Sequence, residues 1–153
     1  MAFSSNHGLI LVALQKLIKD LQPDSCSGEE VEIRSSYLVN DAPARGISIV
    51  QGGEVYDDGT IGTMDVGYLC NIYFCQFNDL DAALTDDSME AWRELVRRRV
   101  KDQRLTLTIT NSTSPSEHVM RAYQPRTVST KNSPNYAVTQ LPVAVWLREL
   151  PTT

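Results

Sequence analysis

The sequence predicts an α+β fold: a mostly antiparallel sheet with a long β-hairpin, packed by an N-terminal helix and a central helix. Three observations lead to this fold class. Two segments repeat apolar residues every three or four positions, as one face of a helix does. Most other segments alternate apolar and polar residues, as strands do. Asp57-Asp58-Gly59 is a strong turn signal between two of these strands. The length of 153 residues fits a single domain over 1–153.

The composition is that of an ordinary globular protein. Hydrophobic residues make up 42% and charged residues 22% of the chain, and the formal net charge is −5. This balance gives no general attraction to nucleic acid or to anionic membranes, although it does not exclude a local basic patch. The apolar run over residues 9–14 is too short for a signal peptide or a membrane span, and Lys16 and Lys19 soon follow it. We therefore expect no membrane association.

The first predicted helix covers residues 6–21. Its apolar stripe consists of Ile10, Ala13, Leu14, Leu17, Ile18 and Leu21. A Ser or Asn among residues 4–6 can cap its start, and Pro23 ends it.

The next strands build the hairpin, and they are predicted over residues 31–39, 47–50 and 61–77. Gln51-Gly52-Gly53 bends the second of these strands, and Glu54-Val55-Tyr56 extends it toward the turn. The third strand is apolar on both faces from residue 66 to 77. Such a strand sits inside a sheet that is covered on both sides, by a helix of the same chain or by a neighbouring subunit.

The central helix lies in a stretch, residues 78–104, that sorts charge by sign. The acidic half holds Asp79, Asp81, Asp86, Asp87 and Glu90, and the basic half holds Arg93, Arg97, Arg98, Arg99, Lys101 and Arg104. Apolar Met89, Trp92, Val96 and Val100 recur at helical spacing through it. Asp87 with Glu90 three residues later fits a capping box at the start of the helix.

The remaining chain is predicted to complete the sheet. Residues 105–110 and 117–123 alternate as strands, 125–135 form a polar loop, and 136–147 form a last strand. Pro142 lacks an amide hydrogen, which predicts that this last strand lies at a sheet edge or a bulge.

A calcium loop is the first functional alternative in the acidic half. Asp79, Asp81, Asp87 and Glu90 occupy positions one, three, nine and twelve of an EF-hand frame. Leu84, however, stands where the frame needs glycine for its turn, and a strand rather than a helix precedes it. We therefore expect no metal, and we assign the acids to the helix N-terminus.

Nucleic-acid recognition is the second alternative. Arg97, Arg98 and Arg99 are consecutive, so a helix spreads them over about 200° and they cannot all face one phosphate backbone. Aromatic residues are not interleaved with them, as a single-strand binding platform requires.

A small enzyme is the third alternative. His7 and His118 lie in no catalytic motif, and we expect no catalytic residue and no cofactor. Cys26, Cys70 and Cys75 lack the spacing of a zinc site, and we expect them to be buried, reduced thiols.

The order of elements resembles the tail-terminator and tail-completion proteins of long-tailed bacteriophages. The resemblance covers most of the chain: the N-terminal helix, the strand at 46–50, the hairpin into 66–77, the acidic-then-basic helix and the strand at 143–147. It implies a non-enzymatic virion protein of the tail or neck that forms hexameric rings. Its partners would be other copies of itself, the tail tube protein and a neck or head connector protein. DNA would pass through the lumen without sequence recognition. Another head–tail connector or neck protein is the nearest alternative.

Self-assembly needs a contact between two different surfaces of each copy. The candidate residues are Glu54, Tyr56, Asp57 and Asp58 on the acidic hairpin, together with Arg97 and Arg98 on the central helix. We expect the hairpin acids of one copy to face the arginines of the next.

Overall fold

A computed structural model describes residues 3–35, 46–58, 64–77, 87–101, 103–112, 117–128 and 136–150. It confirms the predicted α+β class. Two α-helices, α1 (Asn6–Asp20) and α2 (Ser88–Val100), accompany a seven-stranded sheet. The strands are β1 (Glu30–Arg34), β2 (Gly46–Asp58), β3 (Met64–Phe77), β4 (Arg104–Thr106), β5 (Glu117–Ala122), β6 (Arg126–Val128) and β7 (Tyr136–Glu149).

Helix α1 begins where the sequence predicts a cap. The Ser5 hydroxyl accepts a 3.0 Å hydrogen bond from the amide of Gly8, which satisfies one of the donors that a helix start leaves unpaired. The predicted stripe faces the core: Ile10, Leu14 and Ile18 are fully buried, and Ala13, Leu17 and Leu21 pack against them in part.

Helix α2 has the predicted buried face but not the predicted cap. Met89, Trp92, Val96 and Val100 are all buried. Asp87 is the N-cap residue, yet its side chain makes no capping hydrogen bond. Its ψ of 18° differs from the extended conformation in which a cap side chain reaches back to the helix amides. The predicted capping box is therefore wrong.

The sheet runs in the order β1-β2-β3-β7-β5-β4, with β6 also paired to β7. All pairs are antiparallel except β1 with β2, which are parallel. The hairpin of β2 and β3 dominates the sheet, with 13 and 14 residues. Its register shifts between Gln51 and Glu54, which is the bend predicted there.

The position of β7 corrects the prediction from Pro142. β7 is an interior strand, paired with β3 on one side and with β5 and β6 on the other. Pro142 falls between the stretches of β7 that pair with β6 and with β5, and its carbonyl accepts from the amide of Tyr123 there. The missing amide hydrogen of proline is tolerated because the neighbouring strand is interrupted at that point.

Three other boundaries differ from the prediction. β1 ends at Arg34, and residues 36–45 lie outside the described residues. The strand predicted at 105–110 covers only Arg104–Thr106. It ends there because the Leu107 carbonyl oxygen accepts a 2.9 Å hydrogen bond from Nε2 of His118 instead of from the backbone of a neighbouring strand. The predicted polar loop at 125–135 contains β6, which forms because Arg126–Val128 pairs in register with β7. Residues 129–135 lie outside the described residues.

Both helices cover one face of the sheet. On β3 this face holds Val66, Tyr68, Cys70, Ile72 and Phe74, which form one hydrophobic core with α1 and α2. On the second face of β3, Leu69 and Tyr73 are half-buried and Cys75 is buried, but none of them belongs to that core. Within the described residues, α1 and α2 therefore cover one of the two apolar faces of β3, and neither helix covers the other face.

Candidate subunit interface

The part of the hairpin beyond β1 has an open outer edge. We call it the distal hairpin: residues 51–58 of β2 and 64–70 of β3. β1 pairs with β2 only as far as Val50, so among the described residues no strand lies on the outer side of 51–58. An edge of this length offers unpaired backbone groups to another chain.

Three large apolar side chains of the distal hairpin are exposed to solvent. Val55 is 43%, Tyr56 61% and Met64 44% exposed. Tyrosine at the centre of an exposed patch is a frequent contact residue in protein interfaces. The distal hairpin thus combines an open edge with exposed apolar surface.

Two of the predicted contact residues interact with each other. The hydroxyl of Tyr56 donates a hydrogen bond to the carboxylate of Glu54. This bond, together with the negative charge of Glu54, raises the pKa of the Tyr56 phenol above its ordinary value. The pair holds an acid beside an aromatic ring on the exposed edge.

Asp57 points to the second face of the sheet and joins a charged row there. In register, Asp57 lies opposite Asp65 on β3, and Asp65 lies opposite Arg148 on β7. Arg148 donates from Nε and Nη2 to the two carboxylate oxygens of Asp65, at 2.8 and 3.1 Å. The hydrogen bonds from Arg148 lower the pKa of Asp65. The sequence did not single out this ion pair, because its two residues are 83 positions apart. Asp58 follows at the end of β2, opposite Met64.

An indole ring forms the apolar centre of the second face. Trp146 lies opposite Gly67 on β3 and Val119 on β5. A Cβ on Gly67 would come within 2.8 Å of the Trp146 ring, so the ring rests directly on the glycine backbone. Beside it is a groove of about 400 Å³, lined by Asp57, Asp65, Val119, Arg121, Trp146, Leu147 and Arg148. The predicted hairpin residue Asp57 therefore borders a groove that includes both acids and arginines.

A polar cluster fixes the base of the distal hairpin to α1. The hydroxyl of Tyr68 donates to Glu149, which also accepts from Asn6 Nδ2 at 2.9 Å. Burial is the main cause that raises the pKa of Tyr68 above its ordinary value. His7 Nε2 lies 2.8 Å from the carbonyl oxygen of Leu69, the residue opposite the β2 irregularity, and it must donate because a carbonyl only accepts. These hydrogen bonds attach the base of the distal hairpin to α1, while its outer edge is exposed.

The two predicted arginines lie on a different part of the molecule. Arg97 is half-buried and Arg98 is exposed on the last turns of α2. Arg98 Nε donates to the carbonyl of Glu94 at 3.4 Å. Among the described residues no hydrogen bond or ion pair joins either arginine to the distal hairpin, so the structure does not bring the two predicted groups together within one chain.

In the described part of the chain, no three His, Cys, Asp or Glu side chains come close enough to hold a metal ion. Asp79 and Asp81 of the EF-hand frame lie outside it. Neither α1 nor α2 is long and apolar enough to cross a membrane.

All three cysteines are buried and reduced, and burial raises the pKa of Cys70 to about 12.

Comparison with known proteins gives no further assignment: no protein-family model matches the sequence, and no curated protein does.

Proposed function

We propose that the protein is a structural subunit without catalytic activity that assembles with copies of itself into a ring. The observation that carries this proposal is the distal hairpin. It has an open strand edge and exposed Val55, Tyr56 and Met64, and such a surface is stabilised when a partner covers it. The chain contributes at least two different exposed surfaces, the acidic hairpin and the basic end of α2. Contacts between unlike surfaces form a ring where the rotation from copy to copy closes, and an open filament where it does not.

We propose further that the ring is a tail terminator of a long-tailed bacteriophage, located in the virion. This part rests on the resemblance in element order, from the N-terminal helix through the hairpin to the strand that includes Trp146. In that role a hexamer would cap the tail tube protein and join it to the neck or head connector protein. DNA would cross the lumen without being read. The net charge of −5 suits that passage, since a basic lumen would retain the DNA.

Light scattering of the purified full chain, alone and with tail tube protein, tests the proposal. We expect a multimer whose mass falls on replacing Tyr56 by Ser. The control is Val12→Ser, which removes another exposed apolar side chain, 42% exposed, from α1. A monomer at every concentration that also ignores tube ends contradicts the proposal. Electron microscopy of the particle distinguishes a terminator ring at the tube end from a connector in the neck.

A further inference from the structure

A second surface complements the distal hairpin in charge. α1, the end of α2 and β4 enclose a groove of about 310 Å³, which we call the α1–β4 groove. Leu17, Leu21 and Leu105 provide its apolar wall. Lys16, Asp20 and Arg99 provide its charged rim, with a net positive charge.

Arg99 is held in place at this rim. Its Nη1 and Nη2 both lie 3.3 Å from the carbonyl oxygen of Arg104, the first residue of β4. Such a fixed guanidinium loses less side-chain entropy on meeting a carboxylate than a free one does. Lys16 is exposed on α1 and makes no hydrogen bond or ion pair among the described residues. The groove therefore offers two cations beside an apolar surface.

The distal hairpin has the complementary chemistry. Tyr56 is its most exposed large side chain, at 61%, and Val55 is its neighbour. Glu54 supplies negative charge on the face of β2 that carries Tyr56, whereas Asp57 lies on the opposite face. An exposed tyrosine beside a carboxylate fits an apolar groove bordered by cations.

The topology keeps these two surfaces apart within one chain. β2 and β4 are separated in the sheet by β3, β7 and β5, which at about 4.8 Å per strand spacing puts them roughly 19 Å apart. Helix α1 meets the base of the distal hairpin through His7 and Leu69, and Lys16 lies nine residues further along, about 14 Å at 1.5 Å per residue. The match therefore fits a contact between copies.

We infer that the distal hairpin of one copy docks in the α1–β4 groove of the next copy. The inference rests on the proposed self-assembly and names the contact that drives it. Tyr56 packs against Leu17 and Leu21, while Glu54 faces Lys16 and Arg99. In this contact Lys16 and Arg99, rather than the expected Arg97 and Arg98, are the cationic partners. Because the two surfaces differ, the contact is heterologous and repeats from copy to copy, and a closed ring results where the rotation between copies closes.

Cysteine cross-linking tests this contact directly. The native thiols Cys26, Cys70 and Cys75 are buried, at 0%, 0% and 1% exposure, so an added surface cysteine is the reactive one. Gly53→Cys places the thiol next to Glu54 and leaves Tyr56 intact, and a Cβ at Gly53 meets no atom within 4 Å. Gly53→Cys and Asp20→Cys chains are mixed and oxidised with copper phenanthroline. We expect a disulfide-linked dimer in the mixture and none with either variant alone. A chain with both substitutions should give a ladder of multimers that ends at the ring size.

The control replaces the groove cysteine by Val12→Cys, on the same helix but outside the groove lining. Multimers in light scattering without a disulfide between positions 53 and 20 above this control overturn the docking contact and leave self-assembly standing. Disulfides of the Gly53→Cys variant with itself overturn it as well, since they indicate a symmetric contact. A monomer at every concentration overturns both proposals.

Charge exchange gives a second, independent test. Lys16→Glu should weaken self-association about tenfold by sedimentation velocity, because it brings a second carboxylate close to Glu54. Glu54→Lys in the same chain should recover at least about threefold of that loss. Equal association of the Lys16→Glu variant and the parent, or no recovery by Glu54→Lys, counts against the contact. Circular dichroism checks that each variant is folded.

Discussion

Nε1 of Trp92 donates a 3.1 Å hydrogen bond to the carbonyl oxygen of Ile18, and thereby ties α2 to the last turn of α1. Trp92 is fully buried. Trp92→Phe removes this bond and part of the packed volume, so we expect a loss of about 1–3 kcal/mol in the free energy of unfolding. Urea denaturation followed by circular dichroism measures it.

Leu95→Ala is the control for that substitution, because Leu95 lies on the same helix at 36% exposure. Its loss should be below about 1 kcal/mol. If Trp92→Phe costs no more than Leu95→Ala, the bond between the helices does not contribute as the structure indicates.

The contact of Trp146 with Gly67 makes this glycine intolerant of a side chain. Gly67→Ala places a Cβ 2.8 Å from Cε2 and Cζ2 of the indole, so the ring must move. We expect a loss of about 1–3 kcal/mol in the free energy of unfolding, with a changed Trp146 emission in a Trp92→Phe background. The chain has only these two tryptophans.

Gly53→Ala is the matched control on the same hairpin, since a Cβ there meets no atom within 4 Å. It should change stability by less than about 0.5 kcal/mol. Adding Trp146→Ala to Gly67→Ala should remove most of the strain, which a double-mutant cycle reports as non-additivity. Additive effects of these two substitutions would argue that the ring does not rest on Gly67.

The two helix starts should respond differently to loss of their cap residues. Ser5→Ala removes a capping hydrogen bond and should lower the free energy of unfolding by about 1 kcal/mol. Asp87→Ala removes no such bond, only a charge near the helix start, and should cost a few tenths of a kcal/mol. Thermal denaturation of both variants at one protein concentration compares them. An equal or larger loss for Asp87→Ala would show that the predicted capping box forms after all.

The ion pair of Asp65 with Arg148 predicts a pH dependence of stability. Arg148 lowers the pKa of Asp65 in the folded protein, so the carboxylate stabilises the fold above its unfolded pKa of about 3.9. This contribution is lost as the pH falls through the lower, folded pKa. Asp65→Asn should therefore be less stable than the parent at pH 7, and the difference should disappear at acidic pH.

Both groups are exposed enough for solvent to weaken the pair, with side-chain exposures of 29% and 51%. We expect the difference at pH 7 to be small and to shrink in 1 M NaCl. Urea midpoints across pH give the dependence, and NMR titration of the Asp65 carboxyl carbon gives its pKa. A pKa at or above 3.9 would contradict the interaction.

Local patterns in the sequence predicted the elements, but not how distant segments pair. The stripe of Met89, Trp92, Val96 and Val100 identified the face of α2 that is buried, because helix periodicity is set by neighbours in the chain. The edge position predicted from Pro142 was wrong, because proline fits an interior strand where the neighbouring strands β5 and β6 leave a gap. No local pattern reveals such a gap. β6 was missed because three residues are too few for a strand pattern, and only the pairing with β7 makes it a strand.

For the candidate interface too, the sequence identified single elements but not which residues meet. The turn signal and the acids identified the hairpin, and the structure shows Glu54 and Tyr56 bonded to each other on its exposed edge. Arg148 and Trp146 were not singled out, since their partners are far away in the chain. The α1–β4 groove likewise draws its rim from two helices, through Lys16 and Arg99, that only the fold brings together.

The central place of β7 has a consequence for biosynthesis. Every other described strand leaves the ribosome before β7, yet β7 fills the position between β3 and β5. Until it emerges, β3 presents an unpaired edge along 14 residues, from Met64 to Phe77. Pairings this distant in the chain form slowly, and exposed edges invite aggregation meanwhile. A nascent chain of this protein should therefore depend on chaperone protection until its final strand inserts, and chains truncated before Tyr136 should accumulate as insoluble material.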